Sequence, residues 1–211
     1  MNISLKDGST KEFSSGIPII DIAREISGRL AKEAVGARFN GRLLDLNTIL
    51  TEDGHLEILT SGDEEALDIY RHTAAHVMAQ AVKNLFPDVA LAIGPAIEKG
   101  FYYDFDLGES LGPEALEAIE AEMARIIKSD LPLIRCELSR SEAIQLFTEL
   151  GEKYKVELIE DLPEDATISI YRQGDFVDLC AGPHLPSTGK VKNFKLMNLA
   201  GAYWRGDEKN K

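Results

Sequence analysis

Hydrophobic and polar positions alternate over short runs in the first sixty residues, and Gly-containing turns separate these runs. The alternation predicts strands at Ile3–Leu5 and Thr10–Phe13. Apolar residues then recur at helical spacing from Ile19 to Leu30, with Pro18 suited to the first turn. Three more strands are predicted, at Val35–Asn40, Arg42–Leu46 and Leu56–Thr60. This order favours a small β-grasp domain over residues 1–62.

From residue 63 onward the pattern changes to longer amphipathic helices mixed with strands. An acidic start and a closing Phe86-Pro87 predict a helix over Glu64–Leu85. Two further helices are predicted, at Pro113–Ser129 and at Ser141–Leu150 with Ser141 as N-cap. Strands are predicted at Phe101–Phe105, Leu133–Leu138, Tyr154–Leu158 and Ile168–Tyr171. Because helices and strands do not alternate regularly, we expect an α+β domain over residues 63–211.

Composition narrows the class of protein. The chain has 211 residues, of which 44% are hydrophobic and 28% charged, as in ordinary globular proteins. No stretch approaches the roughly 18 apolar residues of a membrane span, and the polar N-terminus is no secretory signal. The two cysteines cannot build a disulfide framework. We therefore expect a cytoplasmic protein with no membrane partner.

Charge is distributed unevenly along the chain. The net charge of −13 argues against a surface that binds nucleic acid everywhere. Residues 186–211, however, carry six bases and two acids. This basic strip consists of Lys190, Lys192, Lys195, Arg205, Lys209 and Lys211. It is compatible with a phosphate-bearing partner on one face, but the charges alone favour a solvated tail.

Two motifs about a hundred residues apart contain the candidate chemistry. His72-Thr-Ala-Ala-His76 places two imidazoles four residues apart, on one face of the predicted helix. Asp178-Leu-Cys180-Ala-Gly-Pro-His184 adds a carboxylate, a thiol and a third imidazole beside a Gly-Pro turn. His72, His76, Cys180 and His184 are suitable zinc ligands, so a structural or catalytic zinc is one hypothesis. Position 73 is Thr, which excludes a His-Glu-x-x-His metalloprotease motif.

Other roles for these residues remain open on residue chemistry alone. Cys180 is a possible nucleophile beside a histidine, but a nearby Asp178 would oppose thiolate formation. Asp178 is either a surface acid or a binding group for a cationic amino group. Lys155, in Gly151-Glu-Lys-Tyr-Lys155-Val, reads as an exposed lysine, and no local pattern marks it as functional.

Beyond these two motifs, several strings resemble the threonyl-tRNA synthetase family. They are Ala92-Ile-Gly94-Pro95, Gly100-Phe-Tyr-Tyr103-Asp, the Lys155 string, and Phe194-Lys-Leu-Met followed by Gly201-Ala-Tyr-Trp-Arg-Gly-Asp207. The resemblance covers nearly the whole chain. It implies a TGS domain over residues 1–62 and an aminoacyl-tRNA editing domain over residues 63–211.

The resemblance implies an enzyme that hydrolyses seryl-tRNA(Thr) and spares threonyl-tRNA(Thr). It implies that His72 and Lys155 activate water or stabilise the oxyanion, and that His76 shapes the site. Asp178 and Cys180 would contact the seryl group, and His184 would hold substrate or water. Tyr103, with Gly94 and Pro95, would line the pocket towards the terminal adenosine. The resemblance also implies an editing site that works without a metal ion, so no cofactor is expected in this chain.

The same resemblance sets expectations for what lies outside this chain. In the family the aminoacylation core follows this region, with its ATP site, its zinc and the homodimer interface. We therefore expect no aminoacylation by residues 1–211 themselves. Two rival hypotheses are a zinc-dependent ester hydrolase and a non-enzymatic tRNA-binding module.

Overall fold

A computed structural model of the chain describes residues 1–108 and 111–210. Internal contacts divide the chain into two units, Met1–Thr73 with Gly182–Pro186, and Ala74–Ala181 with Ser187–Lys211. The first unit extends past residue 62 and includes a second segment, so the division into 1–62 and 63–211 stays a prediction. Within the described ranges, no helix is long and apolar enough to cross a membrane.

The first unit is built on a five-stranded sheet. Its elements are β1 (Asn2–Leu5), β2 (Thr10–Glu12), β3 (Ile17–Pro18), α1 (Ile19–Ile26), α2 (Gly28–Glu33), β4 (Ala34–Phe39), β5 (Arg42–Leu44), β6 (Ile49–Leu50) and β7 (Gly54–Thr60). The sheet order is β2-β1-β7-β4-β5, with β1 and β7 parallel and the other pairs antiparallel. Ile19 and Ile22 of α1 pack with Ile3 and Leu56 of the sheet in one core. This arrangement confirms the predicted β-grasp fold.

The helix predicted from Ile19 to Leu30 is in fact two helices. Ser27 lies between them with an extended backbone, and its side chain accepts hydrogen bonds from the N–H groups of Arg29 and Leu30. A serine that caps a new helix competes with continuation of the preceding one. The apolar spacing therefore predicted the helical region correctly but missed the break.

The second unit mixes helices with short strands. Its elements are the C-terminal part of α3 (Glu64–Leu85), β8 (Ala90–Leu91), β9 (Ala96–Ile97), β10 (Gly100–Phe101), β11 (Phe105–Asp106), α4 (Glu114–Lys128), β12 (Leu133–Leu138), α5 (Arg140–Glu149), α6 (Lys153–Asp161), β13 (Ile168–Gln173) and β14 (Phe176–Leu179). Strands β12, β13 and β14 form an antiparallel sheet, while β8 pairs with β11 and β9 with β10. The α+β class is therefore confirmed.

Three local predictions in this unit were wrong. The N-cap of α5 is Ser139, because Ser139 and Glu142 form a reciprocal capping box that Ser141 cannot form. The single strand predicted over Phe101–Phe105 is two short strands, β10 and β11, which pair with different partners. The strand predicted over Tyr154–Leu158 lies within helix α6, which buries Tyr154, Lys155 and Ile159.

Candidate functional site

Helix α3 positions the first two candidate residues. His72 and His76 lie one turn apart on this helix, as the sequence predicted, and His76 is buried. In the first unit, the ring of His72 lies against the ring of His184, with 4.1 Å between the centroids and 32° between the planes. The Nδ1 atom of His72 is 3.3 Å from the carbonyl oxygen of Pro183. These contacts fix the two imidazoles against each other.

The backbone and ring of His184 are both held by neighbours. Its N–H donates to Asp45 Oδ1 at 2.8 Å, and its Nδ1 lies 3.2 Å from the hydroxyl oxygen of Thr73. The next N–H, that of Leu185, also donates to the Thr73 hydroxyl, at 2.9 Å. Sequence reasoning missed Thr73, whose only signal was a polar residue between two histidines on one helix.

In the second unit, three buried side chains surround the carboxylate of Asp178. Asp178, at the end region of β14, is 1% exposed. Its Oδ1 lies 2.7 Å from Lys155 Nζ, and its Oδ2 accepts a hydrogen bond from the Tyr103 hydroxyl at 2.6 Å. Lys155 also donates to that hydroxyl, at 2.9 Å, and His76 Nε2 lies 3.6 Å from Oδ2. We call His76, Tyr103, Lys155 and Asp178 the Asp178 cluster.

Electrostatics keep this cluster charged. Burial alone would raise the pKa of Asp178, but the charges of Lys155 and His76 and the hydrogen bonds outweigh burial, so the pKa lies below its ordinary value. Burial, followed by the nearby Asp178 charge, raises the pKa of Tyr103 well above its ordinary value. The phenol therefore stays protonated and can donate to an ionised carboxylate. The result is a water-poor site with a fixed charge and a fixed donor.

Tyr103 is positioned by its neighbours in sequence and in space. Its ring stacks on Phe105, with 5.0 Å between centroids, and the backbone of the two residues just before Gly94, Ala92 and Ile93, pairs with that of Asp104. A side-chain carbon at Gly94 would fall on the Tyr103 ring, 2.6 Å from Cγ. Gly94 therefore allows the ring to lie against the backbone, whereas Pro95 is exposed. The structure gives Gly94 a role in placing Tyr103.

Lys155 enters the cluster because α6 is a helix and not a strand. It is 3% exposed, so the interpretation of an ordinary exposed lysine was wrong. Glu152, just before α6, is also buried and accepts hydrogen bonds from Lys83 and from the N–H of Leu91, both at 2.6 Å. This carboxylate links the start of α6 to α3 and β8. Sequence reasoning did not identify Glu152, because acidic residues before helices are common.

Cys180 is fixed by the strand beside it. Its N–H donates to the carbonyl oxygen of Ser169 at 3.1 Å, and the Ser169 hydroxyl donates to the Cys180 carbonyl at 2.6 Å. The side chain of Cys180 is partly buried. Of the four candidate zinc ligands of the sequence hypothesis, α3 carries His72 and His76, and the segment that follows β14 carries Cys180 and His184. Zinc binding stays a prediction.

Two bases of the basic strip, Lys195 and Arg205, pair with acidic side chains of helices in their own unit. Lys195 Nζ lies 2.8 Å from Glu120 of α4. Arg205 lies 2.8 Å from Glu157 of α6 and also pairs with Asp161. Both bases are therefore neutralised locally, which weakens the case for a continuous phosphate-binding strip. Lys211 lies outside the described residues.

Comparisons with known proteins add two family matches. Residues 1–60 match the TGS domain. Residues 168–211 match the threonyl and alanyl tRNA synthetase second additional domain, and this range contains Asp178, Cys180 and His184.

Similarity to individual proteins extends over the whole chain. The chain is 62% identical over 210 residues to a threonine–tRNA ligase of Syntrophomonas wolfei, and 60% identical over 211 residues to one of Caldanaerobacter subterraneus. It is 59% identical to a threonine–tRNA ligase of Clostridium tetani. All of this chain is covered in each case, but only 33% of the relative. The chain thus spans about a third of the length of these relatives.

Proposed function

Because the whole chain matches about a third of the length of threonine–tRNA ligases and contains a TGS domain and a second additional domain, we propose that it hydrolyses mischarged tRNA. The substrate is seryl-tRNA(Thr), and threonyl-tRNA(Thr) is spared. The observation that carries this proposal is the Asp178 cluster, in which a buried carboxylate, a lysine, a tyrosine and a histidine converge. Buried charge of this kind is typical of functional sites.

The chemical need for such a site follows from the size of serine and threonine. They differ by one methyl group, which is worth only about 1–3 kcal/mol of discrimination in a binding pocket. A second site that accepts serine and excludes the extra methyl group multiplies this selectivity. The ionised Asp178 supports recognition of the seryl ammonium group, a cation that an uncharged pocket would bind poorly.

The reaction is addition of water to the ester carbonyl. A C–O bond forms between the water oxygen and the carbonyl carbon, and the ester bond to the ribose oxygen then breaks. An imidazole takes the proton from the water and returns it to the departing ribose oxygen. We assign the base to His72, which lies one turn before His76 on α3, and water or substrate contacts to His184.

Lys155 is assigned to the developing oxyanion. Its ammonium has three N–H donors, of which one is given to Tyr103 and one is directed at Asp178. A positive charge held in a water-poor site stabilises negative charge that appears only in the transition state. His76, 3.6 Å from Asp178 and packed edge-on against Tyr171, supports the carboxylate and does not transfer the proton.

The test is deacylation of seryl-tRNA(Thr) and threonyl-tRNA(Thr) by the chain of 211 residues. We expect rapid loss of the serine ester with the threonine ester spared, and a rate reduced at least about tenfold by His72→Ala with tRNA binding retained. The matched control is His55→Ala, a partly exposed histidine of the first unit. Equal hydrolysis in His72→Ala and wild type would refute the assignment of the base.

Two further outcomes distinguish the rival functions. Loss of activity with a chelator and its recovery with Zn²⁺ would favour a zinc-dependent hydrolase that uses His72, His76, Cys180 and His184. Binding of tRNA(Thr) without hydrolysis of either ester would favour a tRNA-binding module. Retained activity in Cys180→Ser would agree with water attack, because a covalent mechanism requires the thiolate.

A further inference from the structure

The hydroxyl of Thr73 has three partners in a fully buried position. Thr73 is 0% exposed, and its hydroxyl donates to the carbonyl oxygen of Ile69, one turn earlier on α3, at 2.9 Å. The same oxygen accepts the N–H of Leu185 at 2.9 Å and lies 3.2 Å from Nδ1 of His184. A hydroxyl has one hydrogen and two acceptor lone pairs, so these three contacts use all of its capacity.

These three contacts of the Thr73 hydroxyl determine which ring nitrogen of His184 carries the hydrogen. The hydroxyl hydrogen points to Ile69, and one lone pair receives the N–H of Leu185. The remaining lone pair faces His184 Nδ1, where a second lone pair would repel it and an N–H would bond to it. We propose that Thr73 is a positioning residue that holds neutral His184 in the Nδ1–H tautomer and so places the acceptor lone pair on Nε2.

Other contacts fix the orientation of the His184 ring. His184 is 1% exposed, its backbone N–H is held by Asp45 Oδ1, and one ring face lies against His72. A flip of the ring would bring a carbon atom to the Thr73 oxygen and lose the hydrogen bond. The hydrogen bond at one ring nitrogen thus defines the chemistry of the other.

The tautomer of His184 affects the proposed hydrolysis. This effect on turnover rests on the proposed function. With the lone pair on Nε2, His184 can accept a hydrogen bond from water or from a substrate hydroxyl. With the other tautomer it could only donate at that position. Thr73 would therefore affect turnover through His184, without contacting substrate itself.

The first arm of the test does not depend on activity. Long-range ¹H–¹⁵N correlation spectra of histidine-labelled protein distinguish protonated from unprotonated ring nitrogens, and the loss of one set of signals in His184→Asn assigns His184. At about pH 8.5, where histidines are mostly neutral, we expect Nδ1 to be protonated and Nε2 unprotonated in wild type and in Thr73→Ser. We expect Thr73→Val, which keeps the shape and removes the hydroxyl, to shift the hydrogen towards Nε2.

The second arm measures hydrolysis of seryl-tRNA(Thr). We expect Thr73→Val to lower kcat at least about tenfold with KM changed less than about twofold, and Thr73→Ser to retain most of kcat. The matched control is Thr148→Val, an exposed threonine on α5, which should leave kcat unchanged.

Different results would refute the role of Thr73 and the proposed hydrolysis. A wild-type spectrum with Nε2 protonated overturns the proposal, even if Thr73→Val does not fold. An unchanged tautomer in folded Thr73→Val overturns it as well. If wild-type protein hydrolyses neither ester, the proposed function fails, but the spectra still decide the role of Thr73.

Discussion

The contact between Gly94 and the Tyr103 ring can be tested with one added methyl group. In Gly94→Ala, the new Cβ would lie 2.6 Å from Cγ and 2.7 Å from Cε2 of Tyr103, and closer still to Cδ2. Non-bonded carbon atoms rest at about 3.5–4.0 Å from each other. The ring or the Gly94 backbone must therefore shift by roughly 1 Å or more.

A shift of this size reaches the Asp178 cluster through the Tyr103 hydroxyl. That oxygen lies 2.6 Å from Asp178 Oδ2 and 2.9 Å from Lys155 Nζ, so a movement of about 1 Å takes at least one bond beyond hydrogen-bonding range. Overpacking costs about 1–3 kcal/mol, and a lost hydrogen bond to a charged group about 1.5–3 kcal/mol. Because the two costs overlap, we expect Gly94→Ala to lower the free energy of unfolding by about 2–4 kcal/mol.

The assay is urea unfolding at neutral pH, followed by circular dichroism. The matched control is Gly201→Ala, where an added Cβ meets no atom within 4 Å and the expected change is within about 0.5 kcal/mol. The cost should largely vanish in a Tyr103→Ala background, because the clashing ring is then absent. Equal cost in both backgrounds, or a cost below about 0.5 kcal/mol in the wild-type background, would refute the placement of the ring.

Two further predictions concern buried carboxylates. Folding lowers the pKa of Asp178, so its charge stabilises the fold above the unfolded-state pKa and this contribution is lost as pH falls through the lower folded pKa. The stability difference between wild type and Asp178→Asn, from urea unfolding across pH, should therefore stay constant from pH 7 to about 5 and shrink only near and below about 3.8; a difference already lost at pH 5 would contradict this. Glu152→Gln should cost about 1–3 kcal/mol in the same assay, because Lys83 loses its charged partner, whereas exposed Glu160→Gln on α6 should change little. Adding Lys83→Met to Glu152→Gln should recover part of this loss, and no recovery would argue against the ion pair.

Long elements with clear boundaries could be predicted from the sequence. Helix α3 was predicted with both of its ends, Glu64 and Leu85, because an acidic first turn precedes it and Phe86-Pro87 follows it. Strand β12 was likewise predicted over Leu133–Leu138. In these segments the local signals and the final structure agree, so no tertiary contact was needed to decide between alternatives.

Helix α6 shows where local patterns fail. Tyr154, Val156 and Leu158 alternate with polar residues over five positions, which is the pattern of a half-buried strand. The helix buries Tyr154, Lys155 and Ile159. Val156 and Leu158 are only partly buried. A five-residue window contains little more than one helical turn, so it cannot distinguish the two periods. The lysine that faces inward is stabilised by Asp178, 23 residues later in the chain.

In the candidate site, too, local spacing was predicted from the sequence and long-range contacts were not. The spacing of His72 and His76 predicted that one helix carries both, and the structure agrees. The partners of Asp178 are separated from it by 75 residues in the case of Tyr103 and by 23 in the case of Lys155. No periodicity relates positions so far apart, and only the resemblance to a known family indicated them.

The charge of Asp178 depends on all of its partners in the Asp178 cluster together. The pKa of Asp178 is the balance between burial, which opposes ionisation, and Lys155, His76 and Tyr103, which favour it. Removing any one partner leaves the burial in place, so the remaining partners stabilise a carboxylate that is closer to protonation. The effects of single substitutions in this cluster will therefore not add, because each changes the charge on which the others act. Double-mutant cycles at a pH well above the pKa of Asp178 are needed to assign a contribution to each residue.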